Sequence, residues 1–330
     1  FGALSGGRVE NLYKPLRCTP MHPWHESNTA VFEDFGLWRR PQYYSQHGNS
    51  IKEAVSLLSS KNTVSRAMAG GTDLIVQLRA APERIGNPDL VVDIKNIPEL
   101  NEVTLNSKGL TLGSAVPMYK IYNDTSITNL FPALQDSTSL VGGIQIQGRA
   151  SVGGNICNSA PSGDTIPTLI SLNSTCKIDG PNGSRNIKAE DFCTGPGKTV
   201  LENGEILVSI HIPAPDKQSG NSYLRFIPRN EMDIAVVGVG TSISLDGDIV
   251  KSVKIALASV GPTPILVTDA EKIIGKSIED EETLKIAGEA SKNAATPITD
   301  MRGTIEFRKH LCDVLTRRTL KIAKERARGN

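Results

Sequence analysis

Two glycine pairs far apart in the chain carry most of its chemical content. Gly70-Gly71 lies in Ala69-Gly-Gly-Thr-Asp-Leu74, and Gly153-Gly154 lies in Ser151-Val-Gly-Gly-Asn-Ile-Cys-Asn-Ser-Ala160. Paired glycines let the backbone approach a ligand closely and aim several N–H groups at it. Short polar side chains suited to a phosphate or a ribose hydroxyl flank each pair: Thr72 and Asp73 at the first, and Ser151, Asn155, Asn158, Ser159, Ser162 and Asp164 at the second. Two such stretches in one chain point to a large, two-armed anionic cofactor. The first is not a P-loop, because no Gly-Lys-Ser/Thr follows, and it is not the GxGxxG dinucleotide fingerprint. Taken alone, it also reads as an ordinary capped turn, and the second as a tight loop rich in side-chain caps.

The elements that must hold these turns follow from periodicity. Ser50 caps an apolar helical pattern from Ile51 to Leu58, Ser65–Ala69 reads as a short strand, and Gly70-Gly71 turns the chain into a helix over Leu74–Arg79. Leu90–Ile94 is the next strand, which makes a small strand–helix–strand unit. Leu110–Gly113 is a strand, Val116–Tyr122 and Leu130–Leu140 are helices, and the second glycine turn precedes a helix over Asp164–Leu172 with Pro167 near its start. Cys176–Asp179 and Arg185–Ile187 form a hairpin, and Ile206–Ile212 is a strand that stops at Pro213. Asp216–Asn221 reads as a linker. Strands near Tyr223–Ile227, Ile234–Leu245 and Ile249–Val260 follow, then helices. The last helix carries Phe307, Leu311, Val314 and Leu315 on one face.

At 330 residues the chain suffices for two or three compact domains. Lys plus Arg is 36 and Asp plus Glu is 35, a balance that gives no electrostatic reason to expect nucleic acid or an anionic membrane. The basic stretch Arg308–Arg328 reads as a solvated helix face, with a docking face for another subunit as the alternative. No apolar run approaches the ~18 residues of a membrane span, and no secretory signal is visible, although the chain begins at Phe1. The five cysteines are odd in number and scattered, which suits a reducing, cytoplasmic compartment better than a disulfide framework. Residues 1–40 hold both tryptophans and little periodicity, and read as an extended arm. Cys18, His22 and His25 have the types of three metal ligands but lack a fourth, so they are taken as incidental to an arm packed on a partner, and no metal site is expected.

The two turns occur with Arg149-Ala-Ser-Val-Gly-Gly-Asn155, Ser159-Ala-Pro-Ser-Gly-Asp164, Asp191-Phe192, Gly204-Glu-Ile-Leu207 and Arg229-Asn-Glu-Met-Asp-Ile-Ala235. In this order and spacing the set resembles the FAD-binding medium subunit of the molybdenum hydroxylases, the family of xanthine dehydrogenase and carbon monoxide dehydrogenase. The resemblance runs from about Pro41 to about Ala327. It implies an α+β fold: a two-subdomain FAD-binding domain of the vanillyl-alcohol-oxidase (PCMH) type over 41–217, divided near 98, then a smaller domain over 218–330 with a three-stranded antiparallel sheet and helices.

The same resemblance implies roles residue by residue. Ala67, Met68, Ala69, Gly70, Gly71, Thr72, Asp73 and Leu74 would wrap the diphosphate mainly through backbone N–H groups. Ser151, Gly153, Gly154 and Asn155 would form a second loop at diphosphate and flavin, with Asn158 near the ring, Asp164 on the adenosine side and Leu207 against adenine or ring. Arg225 stands where xanthine dehydrogenase has a flavin-contacting Lys, and a cation there would stabilise a reduced, anionic flavin. Val141 matches a position where that relative stacks a Phe on the flavin, so the aromatic contact is lost here. The first loop has no His, so the FAD is expected to be noncovalent. No Cys lies between Ile97 and Leu140, where a hydroxybenzoyl-CoA reductase of the family carries an extra iron–sulfur cluster, so that cluster is expected to be absent.

The function implied is electron transfer, with no general acid, base or nucleophile on this chain. Molybdopterin and 2Fe-2S clusters would sit on a large and a small partner subunit, assembled as a dimer of heterotrimers. A self-contained flavoenzyme of the same fold and a flavin-less assembly subunit are the alternatives. The first needs a substrate domain larger than the last stretch of chain offers. The second is at odds with two intact glycine pairs.

Overall fold

The computed structural model describes residues 17–18, 30–35, 38–47, 49–60, 63–229 and 232–329, with side chains from Asn49 onward. Its first unit contains β1 (Arg17–Cys18), β2 (Ala30–Phe35), β3 (Trp38–His47), α1 (Ile51–Leu58), β4 (Ser65–Met68), α2 (Leu74–Ala80) and β5 (Leu90–Asp93). β5 lies between β4 and β3, parallel to both. β1 and β2 extend the sheet by pairing with the first part of β3. Sheet structure therefore begins inside the stretch read as an irregular arm, because strand pairing at an edge uses backbone groups and needs no side-chain alternation. His22, His25 and the side chain of Cys18 lie outside the described residues. The α1 N-terminus follows the sequence reading: the Ser50 hydroxyl accepts from Glu53 N–H, and the Glu53 carboxylate accepts from Asn49 N–H. Ala54 and Leu58 are the buried residues of α1.

The second unit is an antiparallel sheet in the order β6-β7-β12-β8-β9, from β6 (Val103–Asn106), β7 (Gly109–Gly113), β8 (Thr175–Gly180), β9 (Gly183–Lys188) and β12 (Ile206–Pro213). Between β7 and β8 the chain makes six short helices: α3 (Met118–Tyr122), α4 (Thr125–Leu130), α5 (Pro132–Thr138), α6 (Ile144–Gln147), α7 (Val152–Asn158) and α8 (Thr165–Ser171). A small hairpin, β10 (Cys193–Gly195) and β11 (Lys198–Thr199), follows β9. The central strand β12 serves two cores. Ile206 and Val208 pack with Ala54, Leu58 and Val92 of the first unit, while Leu207, Ile210 and Ile212 pack with Leu110, Leu112 and Ile178 of the second. A register irregularity between Leu207 and Ser209 allows this change of side. The two units are thereby pressed together along β12, with a gap left above it.

The third unit is the sheet β13 (Ser219–Phe226), β14 (Val237–Asp246), β15 (Ile249–Ala258) and β16 (Ile265–Leu266), covered by α9 (Glu281–Ala294) and α10 (Ile305–Gly329). The expected three strands are joined by a two-residue fourth, and β13 begins within the expected linker. In α10 the buried face carries Arg308, Leu311, Cys312 and Leu315, while Phe307 is 39% exposed and meets the ring of Phe226 edge-on. The basic stretch is not simply a solvated face. Arg326 makes a bidentate pair with Asp136 of α5, Lys321 pairs with Glu281, and Arg328 pairs with Asp248 and Glu279. Among the described residues, no helix is long and apolar enough to cross a membrane.

Candidate functional site

The gap above β12 is a cavity of about 1090 Å³, at the upper end of the roughly 300–1,000 Å³ typical of small-molecule and cofactor sites. Ala67 through Leu74, Val141, Ser151, Gly153, Gly154, Asn155, Asn158 and Leu207 all line it. Asp164 and Arg225 do not.

The two glycine stretches touch each other. Gly70 has no room for a side chain, since a Cβ there would lie 2.0 Å from the Arg149 carbonyl oxygen. The Arg149 Nε–H donates to the Gly70 carbonyl at 3.0 Å, which closes the joint. Gly71 has φ +74°, a left-handed conformation that a side chain would strain. A Gly70→Ala substitution is expected to force the loops apart and to cost about 1–3 kcal/mol of overpacking. A melting temperature equal to that of the parent would contradict the joint.

The second stretch, expected as a turn, is the helix α7 with both glycines in its first turn. Ser151 is the N-cap, its hydroxyl accepting from Gly154 N–H at 3.0 Å. Glycine disfavours helix, but tertiary fit overrides that preference here. A Cβ on Gly153 would lie 2.4 Å from the Ser114 carbonyl oxygen, whereas one on Gly154 meets only the Ser151 hydroxyl, at 3.0 Å. One glycine is thus required by packing, and the other keeps the cavity wall bare. Asn155 is occupied structurally, its side-chain oxygen accepting from the Thr165 hydroxyl at 2.7 Å. The Asn158 side-chain oxygen accepts from Gln77 of α2 at 3.1 Å, so helices from both glycine stretches are bridged across the cavity wall.

Asp73 occupies the N-cap position of α2 but makes no side-chain cap bond. Burial pushes its carboxyl above the ordinary range, and a hydrogen bond from Thr72 opposes that only in part. Burial, reinforced by Cys176 and Cys193 nearby, raises the Cys157 thiol far above its usual value. Cys157 therefore presents a neutral wall.

Residues 194–206 form a wall that sequence reasoning largely missed. The hairpin β10–β11 is latched by Ser159, which follows α7 at φ +49° and donates its hydroxyl to the carbonyls of Gly195 and Lys198 at 2.9 and 2.8 Å. The available signal was the turn-forming run Gly195-Pro-Gly197. Arg185 fixes the next segment, donating two hydrogen bonds to Glu205 at 2.8 and 2.7 Å. Those bonds hold the Glu205 carboxyl below its ordinary 4.5. A lowered folded-state value means that the pair stabilises the fold above pH 4.5 and that this contribution is lost as pH falls through the lowered value. Glu205→Gln is therefore expected to flatten the acid limb of a pH series of thermal melts. An acid limb identical to the parent's would count against the pair.

Asp164 is withdrawn from the cavity. Its two oxygens accept from the Tyr223 hydroxyl and Arg225 Nη1, both at 2.7 Å. Side-chain exposure is 9% for Asp164 and 6% for Arg225. Burial raises the Asp164 carboxyl, opposed by Arg225 and Tyr223. Arg225 is accordingly one half of an enclosed ion pair, and each Asp164 oxygen already accepts one hydrogen bond.

Two features fit FAD. The cradle at Gly154 is open where a side chain would fill it, and the buried Ser114 hydroxyl on the cavity wall has no hydrogen-bond partner. Among the described residues, no group of His, Cys, Asp and Glu is placed to hold a metal ion.

Comparison with known proteins agrees with this geometry. Residues 41–215 match the family model described as the FAD binding domain in molybdopterin dehydrogenase, and residues 222–323 match the CO dehydrogenase flavoprotein C-terminal domain. The chain is 34% identical over 283 residues to the xanthine dehydrogenase FAD-binding subunit of Escherichia coli O157:H7, covering 85% of this chain and 95% of that one. It is 27% identical to the carbon monoxide dehydrogenase medium chain of Afipia carboxidovorans, covering 85% and 96%. Its fold superposes with a TM-score of 0.80 on a carbon monoxide dehydrogenase chain from Hydrogenophaga pseudoflava, at 26% identity, covering 87% and 98%.

Proposed function

This chain belongs to the FAD-binding family of the molybdopterin dehydrogenases, and we propose that it is the electron-relay subunit of a multi-subunit complex. In that complex a small 2Fe-2S subunit passes electrons to FAD on this chain, and an external acceptor takes them away. A large molybdopterin subunit transforms the substrate. Bound FAD supplies the redox chemistry, since its ring accepts electrons singly and delivers two.

The observation that carries the reading is the pair of glycine stretches, joined at Gly70 and Arg149, facing one cavity. In this reading the backbone of Met68–Thr72 and the first turn of α7 hold the diphosphate, and Leu207 packs on the adenine or the ring. Gln77 and Asn158 keep the two arms at a fixed separation. No covalent link is needed to retain a ligand gripped from both sides. The matched ranges 41–215 and 222–323 support a division into a FAD domain over 41–217, with subdomains meeting near 98, and a C-terminal domain over 218–330. The relatives' names as subunits and medium chains support assembly with large and small partners, and we place the complex as a dimer of heterotrimers. The free thiols Cys157, Cys176, Cys193 and Cys312 accord with the cytoplasm.

The test is purification of the full chain with its co-expressed partners, followed by release and quantification of flavin and anaerobic reduction through the 2Fe-2S subunit. One FAD per chain that bleaches on reduction is expected. A chain that neither carries nor takes up FAD would defeat the reading.

A further inference from the structure

We propose that Arg66 and Arg84 form a guanidinium clamp for the adenosine-diphosphate half of the cofactor. The inference rests on the FAD reading above and extends it to side chains outside both glycine stretches. Arg66 lies on β4, and Arg84 lies in the turn of helix Pro82–Ile85. Both line the cavity. The Arg66 Nη2 comes within 3.9 Å of the Cβ position on Gly86, two residues beyond Arg84, so the Arg66 side chain reaches the turn that carries Arg84.

No described carboxylate pairs with either. Asp89, the nearest acid in sequence beyond that turn, accepts from Val64 N–H. The acids Asp73, Glu202 and Glu205 also line the cavity, but Glu205 is taken by Arg185. Two cations that line one cavity, with no carboxylate paired to either among the described residues, offer a bound dianion two unpaired partners. Guanidinium groups also match phosphate oxygens in geometry and stack on flat rings such as adenine. The position suits the ADP half. Arg66 precedes Gly70 on the strand entering the first cradle, and the segment around Leu201–Leu207 lines the same cavity. Asp164, expected on the adenosine side, does not line the cavity, whereas Arg66 and Arg84 do.

The experiment uses the full chain stripped of flavin, titrated with FAD, ADP and FMN at several ionic strengths. The variants are Arg66→Gln, Arg84→Gln and the double substitution. Each single change is expected to weaken FAD and ADP by about 5- to 10-fold and to reduce the salt dependence of both, with a smaller loss for FMN. A double variant that binds FAD and ADP like the parent, with the same salt dependence, would overturn the clamp. So would an equal loss of FMN affinity, since the charges would then act on the flavin half. Failure of the unsubstituted chain to bind FAD would instead defeat the reading on which the clamp rests.

Discussion

Gly154→Leu is expected to leave the chain folded and colourless. Gly154 stands in the first turn of α7 on the cavity wall, and a Cβ there meets only the Ser151 hydroxyl. Replacing glycine within a helix removes a propensity penalty of about 1 kcal/mol, so the melting temperature of the flavin-free protein should match or exceed that of the parent. The remaining leucine atoms must then occupy space that the ligand needs. At an overpacking cost of about 3 kcal/mol, FAD affinity would fall by about 100-fold, enough to lose the flavin on purification. Gly154→Ala should bind nearly as the parent does, because its one added carbon meets only the Ser151 hydroxyl, which has to give by a few tenths of an ångström. Gly153→Ala should behave differently, since its Cβ would run into the Ser114 backbone at 2.4 Å and the damage would appear as instability. Absorbance, flavin titration and thermal melts on the three variants separate the two glycines. A Gly154→Leu protein that keeps its flavin at parental stoichiometry would remove α7 from the binding site.

The parts of this molecule that were readable from sequence are those fixed by local chemistry. The Ser50 cap, the Thr175–Lys188 hairpin and the glycine pairs each announce themselves within a few residues. The misread parts are fixed by distant partners. Gly153 and Gly154 argue for a turn, yet α7 forms with the Ser114 backbone packed where a side chain on Gly153 would have stood. Arg326 looks like a solvated cation until Asp136, 190 residues away in the chain, is brought beneath it. The wall over 194–206 depends on Ser159 adopting a left-handed conformation and reaching two carbonyls across a loop, which no local pattern foretells. Asp164 reads as a ligand group because short acids often bind ribose, and its pairing with Tyr223 and Arg225, on a strand that begins more than fifty residues later, has no local signal.

That enclosed cluster has the largest expected effect on stability. Asp164→Ala would strand the Arg225 guanidinium and the Tyr223 hydroxyl in a space from which water is almost excluded. Removing one partner of a buried ion pair typically costs about 3–5 kcal/mol, because the remaining charge is left uncompensated. At roughly 2–4 °C per kcal/mol for domains of this size class, the melting temperature should fall by about ten degrees. The cluster joins the α7–α8 connection to β13, so the loss should be felt in both the FAD-binding unit and the C-terminal unit and not as local fraying. Asp164→Asn keeps an acceptor for Tyr223 and should cost less. Replacing both charges, as in Asp164→Leu with Arg225→Met, should recover much of the deficit, since apolar substitution of a whole buried pair is often neutral or favourable. The pH dependence has a defined sign. The Asp164 carboxyl is raised above 3.8 by burial, so the folded state holds its proton more tightly than the unfolded chain does. The favourable share of that group is present below pH 3.8 and declines as pH rises through the raised value. Asp164→Asn should abolish that decline. If the alanine variant instead melts within about a degree of the parent, the cluster does not hold the two units together.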